Sequence, residues 1–102
     1  MSELHYVHEK LISAISSLAT HPGRIAERMR SAYIEMQPIN RDDLPNDLRG
    51  DLVYIHSRLG AGSGDTVPDR INSLSETDLS EIAASILSLA DRVDTALRES
   101  GA

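Results

Sequence analysis

The side chains able to do chemistry are few and scattered. His5 and His8 stand three residues apart, and on a helix that spacing puts two imidazoles on one face, with Glu9 beside them. Two histidines and a carboxylate could begin a metal site, but the chain has no Glu-x-x-His pair of the di-iron bundles and no His-Glu-x-x-His zinc motif. The segment therefore reads as a solvated face, and no metal or other cofactor is expected. His21 reads as a turn residue and His56 as a surface one. Thirteen serines make chance proximity to a histidine uninformative, and neither a Gly-x-Ser-x-Gly elbow nor a phosphate-cradling glycine loop with lysine occurs. Catalysis is not the expectation. Arg24, Arg28 and Arg30, set against Glu27, give one segment a basic start. With Pro22-Gly23 ahead of them leaving amides open, they are candidates for an anion or an acidic partner.

Bulk properties narrow the classes further. The 102 residues carry a formal charge of −6, which speaks against generic binding to a phosphate backbone, so nucleic acid is not an expected partner. With no cysteine there is no disulfide framework and no thiolate chemistry. No apolar run approaches the length of about 18 residues that a membrane helix needs. Met1-Ser2-Glu3-Leu4-His5 also lacks the basic start and apolar run of a signal peptide. A soluble cytoplasmic protein follows. Its apolar content is aliphatic: 12 Leu, 9 Ile and 4 Val, with no Phe and no Trp.

The elements that carry these residues are helices. Apolar residues recur at helical spacing in four stretches, which predicts one all-α domain over 1–102: a four-helix bundle, up-down in topology. A first helix spans about Ser2–Ala19 on Leu4, Val7, Leu11, Ile15 and Leu18. A second spans about Pro22–Met36 on Ile25, Met29, Ala32, Tyr33 and Met36, and the short connection favours an antiparallel pair. Gln37–Leu44 is a loop. The third helix covers about Pro45–Leu59 on a stripe of Leu44, Leu48, Leu52, Ile55 and Leu59, with Gly60 as its stop. Residues 60–66, rich in glycine, read as a flexible loop. A short helical turn is expected at Asp69–Leu74. The last helix runs to about Arg98 on Leu79, Ile82, Ile86, Leu89, Val93 and Leu97. Its start has the best local signal: Ser75 as cap, Asp78 at the third position, and Leu74 with Leu79 as a hydrophobic staple.

Some large apolar residues fall off these stripes. At 100° per residue, Ile12 lies about 100° from its stripe and Ile34 about 150°. Val53 and Tyr54 sit roughly 140° and 120° away, and Leu87 about 110°. Isolated apolar residues on a surface are normal. The back of the third helix is a sharper case, because Asn46, Gly50, Val53, Tyr54 and Ser57 include no charge. A glycine inside a helix costs about 1 kcal/mol relative to alanine, and close approach of another helix is one reason to keep it. Gly50, Val53 and Tyr54 are thus candidates for a second packing surface, within the fold or between chains, with Ile34 and Leu87 as additions. Leu87, flanked by Ala83 and Ala90, fits equally a widened core stripe, and that is the favoured expectation for it.

His8-Glu9-Lys10-Leu11, Ser17-Leu18-Ala19, Pro22-Gly23, Arg28-Met29, Ala32-Tyr33 and Asp43-Leu44-Pro45-x-x-Leu48-Arg49 together resemble a group of small bacterial all-helical proteins of unassigned function. The likeness covers roughly residues 8–59. It implies a bacterial source and a compact helical domain, and it carries no active site across. The leading functional expectation is a non-catalytic protein-interaction module that self-associates, as a homodimer, or binds another protein. One alternative is an acidic inhibitor, antitoxin or immunity-like protein on a basic partner, since residues 76–99 hold six acids and two arginines. Another is a small enzyme or metal-binding protein.

Overall fold

In the computed structural model, the described residues are 3–20, 22–60 and 66–99. They form α1 (Glu3–Thr20), α2 (Ile25–Met36), a 3-10 turn (Arg41–Asp43), α3 (Asn46–Arg58), α4 (Val67–Ser73) and α5 (Glu76–Glu99), with no strand among them. The protein is all-α, as the periodicity predicts. Ser2, His21 and residues 61–65, which make up most of the expected glycine loop, lie outside the described residues.

Burial follows the stripes. Val7 and Leu11 of α1, Met29 and Met36 of α2, Leu52 and Ile55 of α3, and Leu79, Ile82, Ile86 and Val93 of α5 meet in one aliphatic core. No polar or charged residue is buried in it among those described. The longest helix, α5, packs on α1, α2 and α3, so it is the common wall of the domain. A radius of gyration of 13.3 Å is close to the value of about 13 Å expected for a compact chain of this length.

Polar contacts fix the directions of the helices. Arg92 reaches the Asp51 carboxylate and the Asp47 carbonyl near the start of α3, while Arg58 at its end lies 3.5 Å from Asp78 and 3.6 Å from Glu81. Low numbers on α3 thus meet high numbers on α5, and the two run antiparallel. On the other flank of α5, His8 of α1 stands 3.8 Å from Asp94, near the α5 C-terminus, while Ile12 and Ile15 line a groove with Leu87 and Ala90, so that pair runs antiparallel too.

Local chemistry sets the ends, and it departs from the sequence reading in three places. First, α2 begins at Ile25, not Pro22, because Gly23 adopts φ +111 and Arg24 stays extended, so the chain reverses before the helix can start. Second, the loop before α3 is structured. The Asn40 side chain accepts from the Asp42 amide and the Asp43 carboxylate accepts from the Asn40 amide, which closes a 3-10 turn. Third, the expected short turn is a two-turn helix. Thr66 accepts from the Asp69 amide at 3.3 Å, Pro68 fits the first turn, and buried Ile71 holds α4, which packs against α2. The start of α5 agrees with the sequence reading: the Ser75 hydroxyl accepts from the Asp78 amide at 3.1 Å.

Candidate interaction surface

Gly50, Val53 and Tyr54 lie together on the face of α3 turned away from the core. Val53 is 47% exposed and Tyr54 48%. A Cβ added to Gly50 would have no atom within 4 Å among the described residues, so no other described part of the chain approaches it. Among the described residues no helix packs closely on Gly50, and none covers the outer face of α3 there. Its flanks are held by the Arg58 and Arg92 contacts to α5, so the backbone beneath the face is fixed at both ends.

The other candidates do not all join this face. Ile34, on α2, is 64% exposed and stands one helical turn before Pro38, which lines a groove together with Val53. Leu87 is 51% exposed, which corrects the favoured expectation that it widens the core. The reason is where α1 sits. It covers Ala90 on that flank of α5, and Leu87 is left at the rim, lining a shallow groove of about 360 Å³ with Ile12 and Ile15. Two residues that the sequence offers as unrelated strays, Ile12 and Leu87, are neighbours. They sit across α5 from α3, so Leu87 forms no single patch with Val53 and Tyr54.

The basic segment is also rearranged. Arg28 turns inward and donates to the Leu18 carbonyl at 2.9 Å, satisfying the C-terminal end of α1. A side chain on Gly23 would collide with the Glu27 carboxylate, so the chain's own acid lies where an external anion would approach the start of α2. Arg24 and Arg30 make no ion pair with another described residue. The three arginines do not converge.

The sequence reading missed one feature on this side of the molecule. The segment Gln37–Arg41 and the α3 residues Leu52, Val53, His56 and Ser57 enclose an open groove of about 570 Å³. His56, expected at the surface, is half-buried there, and burial lowers its pKa from 6.5. Its Nε2 is buried without a hydrogen-bond partner among the described residues. The 3-10 turn brings this loop against α3, and nothing in the helical periodicity of α3 signals it. Elsewhere, His8 faces Asp94, and no three histidine or carboxylate side chains converge into a metal-holding set among the described residues. No described helix is long and apolar enough to cross a membrane.

Compared with known proteins, the chain matches no family model, no curated protein and no solved structure.

Proposed function

We propose that this protein is a non-catalytic interaction module whose working surface is the outer face of α3, and that a second copy of the chain is its first partner. The carrying observation is the pairing of exposed Val53 and Tyr54 over an unobstructed Gly50, on a helix held at both ends by arginines. Exposed apolar side chains on a fixed backbone lose little conformational freedom on docking, which favours association. The scaffold for this face is an up-down bundle of α1, α2, α3 and α5, a reading supported by the antiparallel directions of α3 and α1 against α5. A cytoplasmic, bacterial setting belongs to the same proposal, supported by the absence of cysteine and by the family resemblance.

The acidic-inhibitor reading has less support. Asp78 and Glu81 are engaged by Arg58, and Asp94 by Arg98, so half of the acids of α5 already face an arginine of this chain. An enzyme or metal protein would need a converging set of reactive groups, and the candidate residues do not converge.

Solution mass measured across a wide range of concentration tests the proposal. The parent protein is expected to shift from monomer to dimer, and Val53→Asp to remain monomeric with unchanged helicity. A parent protein that is monomeric throughout would overturn self-association.

A further inference from the structure

We infer that the groove between α3 and the Gln37–Arg41 segment receives an amphipathic, acid-bearing segment of a partner protein, its apolar side chains on the exposed Pro38 and Val53 and its carboxylate on Arg41. This rests on the reading of the protein as an interaction module and adds a partner other than a second copy of the chain, Val53 being shared by the two surfaces.

Three observations carry it. The first is charge. Among the residues lining the groove Arg41 alone carries a permanent charge, and its guanidinium forms no ion pair with any described residue, although the chain is net −6. Its acidic neighbour Asp43 is turned to the Asn40 amide instead, at 3.1 Å. A free cation on an acidic protein, beside apolar surface, is complementary to a carboxylate flanked by apolar side chains.

The second is preorganisation. The loop that presents Arg41 is closed by the Asn40–Asp43 capping contacts. It is also tied down by the Arg49 Nε, which donates to the carbonyls of Leu44 at 2.9 Å and Arg41 at 3.1 Å. A wall already ordered loses little freedom when a ligand docks. The third is shape and polarity. Small-molecule sites bury roughly 70–90% of their ligand in a concavity, which an open trough does not do, whereas a polypeptide segment can lie along it. His56 adds an uncharged polar wall, its Nε2 lacking a hydrogen-bond partner among the described residues.

The test is a displayed library of short random peptides selected on the full chain, followed by titration of synthetic versions. Selected peptides are expected to pair Asp or Glu with aliphatic or aromatic residues. They should perturb amide resonances of residues 37–41 and 52–57, and bind Arg41→Gln about two- to fivefold more weakly, the range for one exposed ion pair. Replacing the peptide acid by its amide should weaken binding to the parent but not to Arg41→Gln, closing a double-mutant cycle. Peptides that bind Val53 and Tyr54 with no dependence on Arg41 would overturn this inference and leave the α3 face standing as a docking surface. Selection of peptides without acids, binding confined to the Ile12–Leu87 groove, or no binders at all would overturn it as well.

Discussion

Arg58 donates to the Tyr54 hydroxyl at 2.6 Å, one helical turn back along α3, while its other terminal nitrogen faces Asp78 and Glu81 of α5. The guanidinium also lies 5.7 Å from the centre of the Tyr54 ring. That hydrogen bond is the main cause that raises the pKa of Arg58, burial opposes it, and Glu81 adds a smaller contribution. The most prominent aromatic of the outer face is therefore not a free side chain. Its ring is oriented by a cation that is itself tethered to the neighbouring helix.

Tyr54→Phe should separate orientation from bulk. The ring stays, the hydroxyl goes, and Arg58 keeps its carboxylates. Thermal stability should be unchanged, because an exposed contact of this kind contributes little. The Arg58 side-chain resonances should lose order, and any dimer or complex formed through this face should dissociate faster. Unchanged Arg58 relaxation in the variant would show that the hydroxyl does not hold the pair.

Gly50 and Gly60 should respond oppositely to alanine. Gly50 has an ordinary helical backbone and open space where a Cβ would go, so Gly50→Ala should stabilise the isolated chain by about 0.5–1 kcal/mol. Gly60 ends α3 with φ +93, and a Cβ there would press on Arg70 at 2.9 Å. Gly60→Ala should destabilise by about 1–2 kcal/mol. Denaturant unfolding of both variants reads the sign directly. If Gly50 is kept for contact with another chain, Gly50→Ala will weaken association while it raises the stability of the monomer.

The parts legible in the sequence are those decided locally. A stripe of Leu79, Ile82, Ile86, Leu89, Val93 and Leu97 must be covered by something, so the helix and its buried face follow from spacing alone, and all six are buried. The Ser75 cap needs only its own four residues. Thr66 and Pro68 carry an equally local signal for the start of α4, ahead of the turn that the sequence reading places at Asp69. What spacing does not encode is which neighbour arrives on each flank. Leu87 is exposed because it stands at the rim of the seam between α1 and α5, beside Ile12 and Ile15, and His56 is half-buried because the 3-10 turn folds against α3. Both depend on contacts between segments far apart or on loop geometry. The candidate face at Gly50, Val53 and Tyr54 was legible as an uncharged helix back. The groove beside it was not, since half of its wall is loop.

Two residues of α5 five positions apart test the depth of burial. Ile82 is fully buried at the centre of the aliphatic cluster, whereas Leu87 stands at the outer rim. Ile82→Ala should cost about 2–5 kcal/mol, through lost transfer energy and a cavity that the packed helices cannot close. Leu87→Ala should fall within about 0.5 kcal/mol of the parent. Urea midpoints at matched slopes decide it. A large loss at Leu87 would mean that α1 covers it in solution.

Stability should fall on mild acidification partly through His56. Burial lowers its pKa below 6.5, so the folded chain favours the neutral imidazole. Above 6.5 the ring is neutral in both folded and unfolded chains, and it contributes no pH dependence. As the pH drops below that value the unfolded chain takes up a proton that the folded chain resists, so unfolding becomes easier. The loss stops growing once the pH is below the folded pKa. No carboxylate lines the groove to reverse this. His56→Gln removes this one titration and leaves the other groups in place. The free energy of unfolding of the parent minus that of His56→Gln should therefore be flat above 6.5 and turn downward below it. A difference that stays level through the acidic range would mean that the imidazole is solvated, and that the loop does not close over it.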